Sequence, residues 1–517
     1  MPRHRDRFPA RRAHLTDQAA IAERWPRRPP GYDVDVSTSR RILHRLDRRA
    51  GEGITAAVKA KHRRRLARLG NAALDAPPGG WADDAPPPRP GNGVDVLIDG
   101  AEALPAMVEE IRGARSHVHM TGWFMSPDFV LENEREPVVL RNLLAEAAAR
   151  VDVRVLLWAG APVPIFRPSR RAARRVRDEL RRAGPIRCAL DDRERPLHCH
   201  HEKTIVVDDR VAFVGGIDLT TLGGDRRDSS AHPARAQLGW HDVTARIEGP
   251  VVCDVARHFA LRWGAVTGER LDVGDAPGGA GSSTVQLVRT IPEHVYAGCR
   301  QGSFGILESY LRRIRDARRM VYLESQYLWS PEIVDALAEK LRRPPGDRFR
   351  IVLLLPRRPK GGGDDTRGAL AELVEADGGA GRVLACCLNA PSGALADPVY
   401  VHAKVAVIDD EWLIVGSANL NDHSLFNDTE ACVVTDDAEL ARSTRRRLWA
   451  EHLELTAEEV AGDPADLVDG AWRPIAEEQL ERQRSGRPLT HRLMRLEHVS
   501  RRSDRLRGPL QGLLVDG

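Results

Sequence analysis

Long apolar runs are missing from this chain. No stretch reaches the roughly 18 residues that a membrane-spanning helix needs, and the basic opening MPRHRDRFPARRAHL has no apolar core of the kind a secretory signal carries. A cytoplasmic protein, at most peripheral at a membrane, is expected. Cysteine pairing is missing too. Cys188, Cys199, Cys253, Cys299, Cys386, Cys387 and Cys432 are scattered, odd in number and without a CxxC, which argues against a disulfide framework or a zinc site. Cys199 reads as a small apolar filler. A dominant charge is missing as well: Lys+Arg 78 against Asp+Glu 74 leaves only +4, so a dedicated nucleic-acid binder is not expected. What is present is 517 residues with 42% hydrophobic and 29% charged, enough for two or three domains with full cores.

One pattern occurs twice. His201-x-Lys203 is followed by Asp208 and then by Gly215-Gly216-x-Asp218; His402-x-Lys404 is followed by Asp409 and then by Gly416-Ser417-x-Asn419. The identical internal spacing marks an internal duplication. Between His and Asp lie β-branched runs, 204–207 and 405–408, that read as buried strands. Side chains alternate along a strand, so His and Lys of each copy share a face. If the copies meet, two imidazoles and two ammonium groups converge. That set suits a phosphodiester: the lysines neutralise phosphate oxygens, one His attacks phosphorus, and the other protonates the leaving oxygen. Because the lysines supply the positive charge, no metal and no cofactor is called for at this centre.

These residues resemble the phospholipase D superfamily, whose signature is the twin HKD motif. The resemblance runs over about 92–460 and includes His200-His201-Glu202-Lys203, Trp240-His241-Asp242, Glu248-Gly249-Pro250 and Tyr322 to Tyr327. It is closer to the phosphatidylcholine-type enzymes than to the small nucleases. It implies a phosphohistidine on His201, with His402 as the general acid and later the base. The chain departs from the family at His423, where Arg is frequent, and at Ser325, where Asn is usual.

Each catalytic His needs an acceptor on its other ring nitrogen, and Asp242 and Glu430 are the candidates. Asp208 and Asp409, though part of the motif, are expected to brace its turn. Asn419 can donate to phosphate; an ionised Asp218 can only accept. Ser417 joins this supporting set.

The expected fold is α/β: two similar sandwich halves, each a mixed sheet flanked by helices, related by a pseudo-twofold with the site between them. Residues 1–90 read as a basic extension, disordered over the Arg/Pro-rich first thirty and then helical over 39–74, with a linker over 76–93. The halves are assigned to 91–272 and 284–460, joined by the Gly-rich linker 273–283, and 461–517 forms a basic C-terminal extension. The basic helix over 170–183 could draw in anionic lipid or simply be solvated, and 359–366 reads as a mobile loop. The expected activity is hydrolysis of phosphatidylcholine-like lipids to phosphatidic acid at a membrane surface, with water or an alcohol as acceptor, by a monomer. A cardiolipin-type synthase and a nuclease are the alternatives.

Overall fold

The computed structural model describes residues 36–132, 136–162, 167–195, 198–221, 240–357, 363–392 and 395–497. The Arg/Pro-rich opening, residues 359–362 of the expected loop and the last twenty residues fall outside this set, whereas 363–366, expected as loop, begin the helix Gly363–Asp377. The chain divides into residues 1–46, of which only the start of the helix Val36–Leu69 is described, and residues 47–517, to which all of the following refers.

Both halves are built from the same seven strands in the same lateral order. In the first the order is Arg89–Ile98, Val243–Glu248, Val211–Gly215, Lys203–Val207, His117–Gly122, Asp152–Trp158 and Arg187–Asp191. In the second it is Ser283–Ile291, Glu430–Thr435, Trp412–Gly416, Val405–Ile408, Met320–Glu324, Arg350–Leu354 and Val383–Ser392. The last three strands of each set run parallel because helices cross between them; the others are antiparallel hairpins or meanders. The equivalent strands Arg89–Ile98 and Ser283–Ile291 pair antiparallel across the junction, as a local twofold requires. The result is one large mixed sheet flanked by helices.

The helices also correspond. Asp99–Gly113, Leu140–Ala148, Arg170–Ala183 and Val252–Thr267 match Gly305–Asp316, Pro331–Arg342, Gly363–Asp377 and Ala438–Leu453. Arg170–Ala183 starts at a Ser169 cap and buries Ala173, Val176 and Leu180, so its arginines line the outer face.

Some elements differ from expectation. The strand Arg89–Ile98 begins before residue 93, because Arg89 and Asn92 pair with the neighbouring half. That pairing turns the end of the expected 76–93 linker into sheet. Val383–Ser392 and Leu395–Val401 form a hairpin with no counterpart in the sequence reading. Residues beyond 460 add the helix Arg473–Arg484 and the strand Leu493–Arg495, which pairs with Val383–Ser392. The basic N-terminal helix anchors on the second half: Leu66 enters its core, while Arg65 grips Glu293 and the carbonyl of Phe426.

Candidate active site

Each motif occupies a hairpin. Lys203–Val207 turns into Val211–Gly215, and Val405–Ile408 turns into Trp412–Gly416. The turns need φ > 0: Asp208 and Asp209 sit at 57° and 51°, Asp409 and Asp410 at 58° and 60°. Asp tolerates this region better than most residues. The first Asp of each pair then does something further. Asp208 accepts hydrogen bonds from the amides of Arg115, Ser116 and His117, and Asp409 accepts them from Arg318, Arg319 and Met320. Burial works against the Asp208 carboxylate, but these amides hold its pKa below the ordinary carboxylate range. Both acids lie at the end of the strand remote from the histidines, where they tie the hairpin to the start of the neighbouring strand.

The other end of each hairpin brings the two motif histidines together. The rings of His201 and His402 lie 6.4 Å apart between centroids, at 69°, and both are buried. His201 donates from Nδ1 to Glu430 Oε1 at 3.0 Å, and His402 donates from Nδ1 to Asp242 Oδ2 at 2.6 Å. A carboxylate can only accept, so each Nδ1 carries the proton and each Nε2 remains for chemistry. The pairing is crossed: each half's histidine is held by the other half's acid. The main chain repeats the exchange. The Thr429 carbonyl accepts from the amides of His201 and Glu202 at 2.9 and 3.1 Å, and the His241 carbonyl from His402 and Ala403 at 2.8 and 3.0 Å.

The lysines flank the pair. Lys203 Nζ donates to the His201 carbonyl at 2.7 Å and lies 3.3 Å from Asp218; Lys404 Nζ donates to the His402 carbonyl. Lysine is scarce in a chain this rich in arginine, and these two are buried. A carboxylate oxygen of Asp218 lies within 4.8 Å of a ring nitrogen of each histidine. Burial raises the Asp218 pKa above its ordinary value, although Lys203 opposes the shift. The equivalent Asn419 donates to Gln326 Oε1 at 3.3 Å. Ser417 and Ser424 both donate to Glu430. Where the second half has Ser417, the first has Gly216, because a Cβ there would fall 2.1 Å from Asp242 Oδ1. Trp240 packs against the His402 ring at 4.1 Å between centroids.

The cardiolipin synthase, PLD-like domain family matches residues 310–451. Phospholipase D A of Dictyostelium discoideum is 26% identical over 464 residues, covering 71% of this chain and 36% of that protein. Phospholipase D2 of Bos taurus is 24% identical over 487 residues, covering 70% of this chain and 51% of that protein. What the chain resembles in these matches is the phospholipase D superfamily. The chain spans between about a third and a half of the length of these two relatives. Among solved structures, the phosphatidylserine synthase of Haemophilus influenzae Rd KW20 superposes with a TM-score of 0.49 at 12% identity, covering 81% of this chain and 97% of that one.

A second layer of buried charge stands behind the histidines, and sequence reasoning does not find it. His241 lies between Asp99 Oδ1 at 2.9 Å and Glu324 Oε2 at 2.8 Å, and His452 reaches the other oxygen of Glu324 at 3.1 Å. Burial alone pulls His241 down, but Glu324 and Asp99 hold it well above its ordinary value. In the first half, Asp191 takes hydrogen bonds from Tyr296 at 2.6 Å and Arg262 at 2.9 Å and lies 3.1 Å from His200. The signal was visible only as the His241 and Glu324 of the resemblance segments; Asp99, Asp191 and Arg262 come from distant helices and strands with no motif of their own.

Proposed function

We propose that this chain is a phosphodiesterase that cleaves phospholipid head groups and can pass the phosphatidyl group to an alcohol. The observation that carries the reading is the facing pair His201 and His402, each oriented through Nδ1 by a carboxylate from the opposite half. In the proposed reaction, Nε2 of His201 attacks phosphorus and the bond to the head-group oxygen breaks. His402 donates its Nε2 proton to that oxygen. His402 then removes a proton from water or an alcohol, whose oxygen displaces His201 and yields phosphatidic acid or a phosphatidyl alcohol. Glu430 and Asp242 stabilise each imidazolium as it forms. Lys203 and Lys404 offset charge on the phosphoryl oxygens, and Ser417, Asn419 and Asp218 complete the supporting set.

The names of the relatives favour a lipid substrate, and phosphatidylcholine is the proposed one. The cardiolipin synthase description of the family matching 310–451 favours a second reading, in which the acceptor is the hydroxyl of another lipid. No described helix is long and apolar enough to cross a membrane, so the substrate would be met at a bilayer surface.

The test is a panel of phosphatidylcholine vesicles, phosphatidylglycerol vesicles and single-stranded DNA, each with and without a primary alcohol. Phosphatidic acid from phosphatidylcholine, diverted to a phosphatidyl alcohol, is expected. Cardiolipin formed from phosphatidylglycerol without hydrolysis would select the synthase reading. Cleavage of DNA alone would overturn both lipid readings.

A further inference from the structure

We infer that His198, His423 and Asp428 form a site for a divalent first-row transition ion of the zinc type, clipping the two halves together beside the reacting histidines. His198 comes from the first half, three residues before His201. His423 and Asp428 come from the second and bracket the π-helical turn His423–Asn427. The Nδ1 atoms of His198 and His423 lie 3.1 Å apart. Nδ1 of His198 is 3.4 Å from Asp428 Oδ1, and Nδ1 of His423 is 4.0 Å from Asp428 Oδ2. One ligand atom from each residue lies within 4.8 Å of the others.

Ligands held about 2.1 Å from a zinc-type ion stand about 3.0–3.4 Å apart at octahedral or tetrahedral angles. The two shorter distances fall in that range, and the 4.0 Å edge is the looser one. Two features of the cluster point to a ligand. Two imidazole nitrogens aimed at each other share at most one proton usefully, whereas a cation takes both lone pairs. In addition, Asp428 is fully buried, and its Oδ2 accepts no hydrogen bond among the described residues. Two imidazoles and one carboxylate favour zinc or a neighbouring ion over magnesium or calcium, which prefer oxygen donors. His198 keeps some exposure, so a water can reach the remaining position.

The place of the cluster gives it a task. The Cys199 amide donates to Asp428 Oδ1 at 2.9 Å, and the Thr429 amide donates to the Cys199 carbonyl at 3.2 Å. Two residues beyond Cys199, His201 donates to Thr429 and to Glu430. An ion joining His198 to Asp428 therefore fixes the register that sets His201 against Glu430. It does not touch phosphorus, and the inference stands whatever the substrate is.

The experiment uses the full chain, stripped with a chelator and titrated with Zn²⁺ by calorimetry, and with Co²⁺ followed by its visible d–d bands. One equivalent should bind to wild type and to His402→Ala. Binding should weaken at least tenfold in His198→Ala and in His423→Ala. Zinc should raise Tm of wild type but not of those two variants, and Tm without metal reports whether each variant folds. No zinc binding by wild type would overturn the inference. So would one equivalent that survives in His198→Ala and His423→Ala but is lost in His402→Ala, which would place the ion on the reacting pair instead.

Discussion

His201 and His402 have the same ring and the same kind of acceptor, yet the proposed roles are not interchangeable. His402→Ala removes the proton donor, and a substrate whose leaving group is p-nitrophenol needs little protonation. Labelling of His201 by such a substrate should therefore proceed in His402→Ala and persist, because the base that activates water is gone. Turnover of a substrate with a poor leaving group should fall by about 10²–10⁴-fold. Peptide mapping after quenched flow reads the label. A label on His402 in His201→Ala would reverse the assignment, and no label in any variant would argue for direct attack by water.

Among the elements, the hairpins and the buried layer behind them make separate demands. Asp409 accepts three amide hydrogen bonds at the start of the strand Met320–Glu324. Asp409→Ala should cost about 1–3 kcal/mol in urea unfolding, with the loss appearing in the denaturation midpoint more than in kcat. The charged layer answers to pH. Burial pushes Glu324 up, but His241 and His452 hold it far below its ordinary value of 4.5. Its stabilisation is present above that ordinary value and is lost as pH falls through the depressed one. His241 is raised above 6.5, so its share is full below 6.5 and is lost only as pH rises through the raised value. Glu324→Gln should therefore lower stability by about 3–5 kcal/mol near pH 6, and the deficit should narrow as the solution is acidified below pH 4. A deficit independent of pH would mean that the side chain acts by packing alone. The sequence made the hairpins legible because their contacts are local: Lys203 to Val211 spans one turn, and the repeat of that span disclosed both site histidines. Asp99 and Asp191 were not legible. Their importance depends on which distant strand lies beside them, and no periodicity records that. The Leu395–Val401 strand was hidden for a related reason, since its Pro398 reads as a breaker although it lies ahead of Tyr400 and Val401, where the strand gains its second partner in Trp240–His241.

At the scale of the whole molecule, the two halves share a core. Val96, Val206, Val214 and Ala245 of the first cluster with Val285, Val407, Val415 and Val433 of the second. Residues 91–272 or 284–497 expressed alone should fail to give a cooperative unfolding transition by circular dichroism, and co-expression should restore it. An independently folded half would show that the shared layer is dispensable. The crossed hydrogen bonds have a consequence best put in the language of genetics. A lesion at Glu430 maps to the second repeat, yet its phenotype belongs to the first repeat's histidine, and a lesion at Asp242 maps to the first repeat but disables the second's. Epistasis should follow that diagonal. In a His402→Ala background, adding Asp242→Asn should leave the rate of His201 labelling unchanged, while adding Glu430→Gln should slow it about 10–100-fold. Equal effects from the two acids would erase the diagonal. If it stands, the unit that selection preserves is not the repeat that was copied but the pair that spans the copies, and neither copy can drift alone.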